Sequence, residues 1–318
     1  MKNFFIIYFL FFSFITFGQK RKSNEDLILF EKTVAILGFL NEELENVINL
    51  KDTIDLTNEE KIKRNFAIEI RENVLDKVIE NYEELIKEYP KSNLIFRALN
   101  NKGFAELQLE DFDKAKETFL KILNSEADDK EKGGIGSGLM GEPYANYKNR
   151  ASKILADLEL KNKNYQEAIK YLDNTKKFPY RHFCGNEYAA DEIYMAEMYS
   201  KCYIGLGQYE KAYDILLPNI VENGLANNSE LVNTAYNALL KNYKKEDLKA
   251  QFENSFKNIT AEKETRNKNE YTFYYINFLN RKIKLSSWKL SEMLAETEKD
   301  KVIKEILEES EFYKLLSK

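Results

Sequence analysis

Three stretches of this chain follow one template: GFAELQLEDFDKAKETFLKIL (103–123), ADLELKNKNYQEAIKYLDNTKKFP (156–179) and YSKCYIGLGQYEKAYDILLP (199–218). Each reads as a helix, a short polar turn, an aromatic, an Ala three residues later and an apolar residue four further on. The triplets are Phe112/Ala115/Phe119, Tyr165/Ala168/Leu172 and Tyr209/Ala212/Leu216. Repetition restricts the fold because a single pair of helices cannot bury its apolar face alone. It must do so against the next copy. The expected fold is therefore all-α, built of helix pairs. The chain has only 4 prolines to break such helices, and its charged residues, 32% of 318 and mixed in sign, suit exposed helical faces.

The template resembles the tetratricopeptide repeat, a helix pair of about 34 residues. That resemblance implies an antiparallel helix-pair α-solenoid. Its small residues (Gly103, Ala156 and Ser200 on the first helices, Ala115, Ala168 and Ala212 on the second) would let the two helices approach closely. The third unit fits best, with Tyr203 at the family's aromatic position and Gly207 in the turn. The first two place Glu106 and Glu159 there instead, each followed by a Leu. Val78, Tyr82 and Pro90 would belong to an earlier, degenerate second helix. The organisation that follows is a leader at 1–18, an N-terminal helical region at 19–90, repeats at 91–218 and a C-terminal helical cap region at 219–318.

Outside the repeats, the apolar periodicity predicts a helix over 24–49. A capping box, Thr57 with Glu60, predicts a long helix that Pro90 ends near Tyr89. Further helices are expected at 231–243, 245–256 and 298–316. The stretch YTFYYINFLNRKIKL (271–285) reads either as a small β-hairpin turning near Asn280 or as a helix with an aromatic face.

At the start, a short positive segment precedes FFIIYFLFFSFITF (4–17), with Thr16 and Gly18 suited to cleavage before Gln19. Fourteen helical residues rise about 21 Å, too little for a hydrocarbon core of about 30 Å. The run therefore reads as an export signal, and the mature chain is expected in the periplasm, at the outer membrane or outside the cell. An uncleaved anchor is the alternative, because Lys20-Arg21-Lys22 follows it.

Chemistry is sparsely signalled. Gly136, Gly138 and Gly141 satisfy G-x-G-x-x-G, but the charged segment 127–132 before them has no strand character, and Leu139-Met140 stands where a P-loop needs Lys and Ser/Thr. The run reads as an enlarged inter-repeat loop. The one histidine, His182, lies two residues from Cys184. That spacing suits local hydrogen bonding better than a nucleophile–base pair, and a pairing of Cys184 with Cys202 is the less favoured reading. No cofactor or metal set is expected. The net charge of −5 and the lack of a basic stripe speak against nucleic acid as partner.

Ala115 to Ala168 spans 53 residues and Ala168 to Ala212 spans 44, so both junctions carry inserts beyond the standard unit. In stacked pairs the two inserts fall on one edge. They offer Tyr144, Tyr147 and Arg150 from the first, and Tyr180, Arg181, His182, Phe183 and Tyr188 from the second, the residue types favoured at interface hot spots. Packing of the same rings onto their own helices is the equal alternative: Tyr147 and Arg181 facing solvent would favour the contact surface, and their burial would count against it. The resemblance further implies a groove lined by Arg97, Asn100 and Phe104, then Arg150, Lys153 and Asp157, then Tyr194, Glu197 and Lys201. The sequence therefore implies a protein- or peptide-binding scaffold of a bacterial cell envelope, in an assembly or surface complex, touching membrane only through its export signal. The rival is a hydrolase with its site in the inserts (131–148 and 180–188).

Overall fold

A computed structural model of the protein describes residues 24–48, 57–133, 142–221, 226–266, 269–285 and 296–318. The leader-like run 1–18 and most of the glycine run lie outside these residues. The chain divides into two compact units, Met1–Ala127 and Asp128–Lys318, so the boundary falls inside the run of repeats.

In the first unit, α1 (Glu25–Phe39) continues through a π-turn at Leu40–Leu44 into a short helical stretch, Glu45–Ile48. Next comes α2 (Asn58–Glu88), which starts at the expected capping box: Thr57 Oγ1 accepts from the Glu60 amide, and Glu60 Oε2 accepts from the Thr57 amide. Leu75, Val78, Tyr82 and Leu85 of α2 are buried against Phe30 and Leu40. The first template copy then folds as α3 (Ile95–Gln108) and α4 (Phe112–Leu123), packed on each other. A Cβ on Gly103 would come within 2.7 Å of the buried Phe119 ring, so α3 needs glycine where α4 crosses it.

In the second unit the other two copies fold as α5 (Tyr147–Lys161) with α6 (Tyr165–Asn174), and α7 (Gly185–Gly205) with α8 (Tyr209–Leu216). Here α5 packs on α6, α6 on α7, and α7 on α8. The three turns are alike. Glu110, Lys163 and Gly207 have φ of 59°, 61° and 71°. The amides of Asp111, Asn164 and Gln208 each reach back five residues, to the carbonyls of Glu106, Glu159 and Tyr203, at 2.8–3.0 Å. This left-handed closure satisfies orphan carbonyls at the helix end and turns the chain back. Gly207 adopts it freely, whereas Glu110 and Lys163 do so at about 1 kcal/mol each.

Asp111 caps α4: its Oδ1 accepts from the Lys114 amide, and its Oδ2 lies 2.6 Å from the Lys114 ammonium. That ammonium, with the amide, holds the Asp111 carboxyl below its ordinary value. Its contribution is therefore present above the unfolded value of about 3.9 and lost as pH falls through the lowered folded value. Asp111→Ala should lower stability by about 1 kcal/mol at neutral pH, with the difference shrinking towards acid. Urea titrations at two pH values check this.

Beyond Pro218, α9 (Ser229–Leu239) packs on α7 and α8. Next, α10 (Lys245–Ser255) lies against an antiparallel sheet of β1 (Thr260–Arg266), β2 (Asn269–Phe278) and β3 (Arg281–Lys284), in that order. The hairpin forms where 271–285 suggested it. Tyr275 pairs with Lys284 and Phe278 with Arg281, across a two-residue turn in which Leu279 and Asn280 have φ of 48° and 61°. That turn conformation matches the twist of the strands. The chain is thus mostly helical, as expected, with the C-terminal hairpin present and extended by β1 to a three-stranded sheet.

Two final helices, α11 (Glu296–Glu309) and α12 (Glu311–Ser317), follow the sheet. Phe252, Phe278 and Phe312 meet edge to face at 5.1–5.8 Å, tying α10, β2 and α12 together. Arg281 joins the sheet to α8 through Asp214 and Glu210 at 2.9 and 2.7 Å.

Candidate functional site

The two inserts meet within the second unit. The first closes at its base through an antiparallel bridge between Lys132 and Tyr144, with the Ala145 amide on the Glu131 carbonyl at 2.8 Å. Asn146 then clasps the second insert: its Oδ1 accepts from the Arg181 amide, and its Nδ2 donates to the Arg181 carbonyl, both at 3.0 Å. Asn146 is 1% exposed and has φ of 49°, a conformation asparagine tolerates better than most residues.

With its side chain committed there, Asn146 does not cap its own helix. Asp129 does so instead. Its two carboxylate oxygens accept from the first-turn amides of Lys148 and Asn149 at 2.6 and 3.1 Å, which answers orphan donors and favours a negative charge at that end. Asn149 adds a bond to the Phe178 carbonyl at 2.7 Å.

Around this clasp the aromatics assemble. The Tyr144 ring lies 5.4 Å from that of Phe183. Tyr180 stacks on His182 at 6.1 Å and meets Tyr188 edge-on at 6.0 Å. The Lys153 ammonium sits 4.7 Å from the Tyr180 ring and 5.6 Å from that of Tyr194, and it is ion-paired to Asp191. Cation–π attraction and the ion pair together fix α5, the second insert and α7. Burial, with Glu142, Glu187 and Asp191 near, pushes the Tyr180 phenol up to about 12. Burial, with Asp157, Asp191 and Glu197 near, also raises that of Tyr194. Both phenols therefore stay protonated at neutral pH.

The expected residues divide. Phe183 is 75% exposed, whereas Tyr188 and Tyr194 expose only 41% and 37% of their surface. Tyr144 and Arg181 are half-buried. Tyr147 is 3% exposed and is corrected: as the first residue of α5 it turns its ring inward, so no partner can reach it, and by the distinction drawn from the sequence it sides with inward packing, which leaves the edge to Phe183 and its exposed neighbours. His182 is buried and also leaves the contact surface. Its Nδ1 accepts the Cys184 amide at 2.9 Å, while the Tyr188 hydroxyl holds its backbone, accepting from the amide and donating to the carbonyl. Both cysteines are free thiols, and burial pushes that of Cys202 up to about 11.

Of the groove positions, Arg150 is ion-paired to Glu142 and Lys153 is sandwiched as above, so both support the inserts from within. Asp157 pairs with Lys161 at 2.8 Å, and Lys201 pairs with Glu197 and with Glu230. Burial raises the Glu197 carboxyl, while Lys201 lowers that of Glu230. In the first unit Asn100 is buried, and Phe104 meets Phe119 edge-on at 5.6 Å.

Asn146 and Asp129 are the residues that the sequence pattern passed over. An asparagine directly before a helix suits capping, and nothing in the local sequence marks it as a clasp. Among the described residues no cluster of His, Cys, Asp or Glu could hold a metal ion, and no helix is long and apolar enough to cross a membrane. In comparison with known proteins, no family model matches the chain, and no curated protein and no solved structure matches it either.

Proposed function

We propose that the protein is a non-catalytic, tetratricopeptide-like scaffold that binds a protein or peptide along the edge made by its two inserts. The run 1–18 would export it to a bacterial cell envelope. The observation that carries this reading is the Phe183 ring, 75% exposed on a loop held by the Asn146 clasp and the Lys153 sandwich. A large ring exposed on a mobile loop would lose much of its binding energy to ordering. One exposed on a fixed loop keeps it. Tyr144 lies against that ring, and Tyr188, Tyr194 and the half-buried Arg181 of the same insert and the helix after it add residue types that dominate interface energetics.

The test takes a partner captured from envelope extract with the full chain and measures its affinity by biolayer interferometry. Phe183→Ala should weaken it by about tenfold or more, as expected of an interface anchor, while the melting temperature stays that of the parent. An unchanged affinity would exclude the insert edge as the contact surface.

A further inference from the structure

The second unit carries a cleft of about 490 Å³ at the opposite ends of the same first helices. Its walls are the Tyr165 and Tyr209 rings with Leu160 and Ile204. Lys161, Lys163, Lys201 and Lys241 stand around it. The α5 helix begins beside the inserts at Tyr147 and ends in this cleft at Lys161, so the two places lie about 20 Å apart.

The cleft is built into the fold. A Cβ on Gly205 would come within 2.3 Å of the Tyr165 ring, so the glycine at the end of α7 lets that ring lie flat as a wall. The left-handed turn at Lys163 carries its residue to the rim.

The charge pattern says what fits. The chain has a net charge of −5, yet four lysines and no carboxylate line the cleft. Lys161 is answered by Asp157, and Lys201 by Glu197 and Glu230. Lys163 and Lys241 make no ion pair with the described residues, and both are exposed. Thr234 and Asn237 of α9 add a hydroxyl and an amide on the same wall, suited to a peptide backbone. Size and apolar walls match a site for a small group or side chain.

We propose that this cleft is a second binding site, which takes an acidic peptide segment: an apolar side chain enters between Tyr165 and Tyr209, and flanking carboxylates meet Lys163 and Lys241. The site is independent of the insert edge and stands whether or not Phe183 contacts a partner.

Fluorescence anisotropy on the full chain tests it, with a labelled octapeptide carrying Leu-Phe between three acidic residues on each side. Saturable binding that weakens with added salt is expected. Lys163→Glu with Lys241→Glu should reduce affinity by about tenfold or more. Lys121→Glu with Lys257→Glu, which gives the same net charge from exposed positions outside the cleft, should retain it. If the first pair fails to fold, Lys163→Ala with Lys241→Ala replaces it, with the same loss expected. Absence of saturable binding, equal loss in both charge-reversed pairs, or equally tight binding of an oligothymidylate of matched charge would each overturn the proposal.

Discussion

Lys102→Met is expected to destabilise the first unit by about 3–5 kcal/mol in urea unfolding, a cost typical of breaking a buried ion pair from one side. Glu106 is 0% exposed and occupies the place that Tyr203 fills in the third template copy. Lys102, also buried, donates to Glu106 Oε1 and to Thr118 Oγ1, and lies 3.3 Å from Glu83 Oε1. Its removal strands a carboxylate inside the α3–α4 junction, where Glu106 Oε2 already lacks a hydrogen-bond partner. The double variant Lys102→Met with Glu106→Leu should recover most of the loss, because an apolar pair of similar volume carries no desolvation cost. A single-variant cost below about 1 kcal/mol, or a double variant no better than the single, contradicts this description of the junction.

Asn146→Ala should cost about 2–3 kcal/mol, from two buried hydrogen bonds to Arg181 and a left-handed backbone that alanine resists. The damage should be local. Amide exchange at Arg181 and proteolysis within 180–184 should accelerate, while exchange in α9 and the sheet stays slow. Asn146→Gly relieves the backbone term and keeps the loss of the bonds, so it should fall between the parent and Asn146→Ala. If both variants exchange like the parent at Arg181, the clasp does not hold the inserts together.

Helix pairs, the capping box and the hairpin could be read from the sequence because each rests on local pattern: a repeated apolar spacing, Thr57 with Glu60, and β-rich runs either side of Leu279-Asn280. Other features depend on partners distant in sequence. The left-handed turns at Glu110 and Lys163 are invisible beside Gly207, since packing of the flanking helices imposes them. TAEKETR offers no apolar alternation, and β1 exists because β2 supplies the ladder from Thr260↔Tyr275 to Arg266↔Asn269. The buried Glu106 and Glu159 looked like departures from the aromatic position. Lys102 and Asn164 Nδ2 answer them in space.

The candidate site was partly legible for the same reason. Placing both inserts on one edge followed from the order of helices. The inward ring of Tyr147 and the internal pairing of Arg150 and Lys153 depend on side-chain direction, which a list of aromatic and basic residues does not encode.

The central claim is that the insert edge is where a partner binds. Site-specific photo-crosslinking tests it most directly, with p-benzoylphenylalanine placed at Phe183 and, as a control, at Tyr271, which is also exposed but lies on β2. In cells that produce the protein, position 183 should yield a discrete adduct that Asn146→Ala greatly diminishes, and position 271 should not yield that adduct. No adduct at 183, or the same adduct from both positions, would contradict the account.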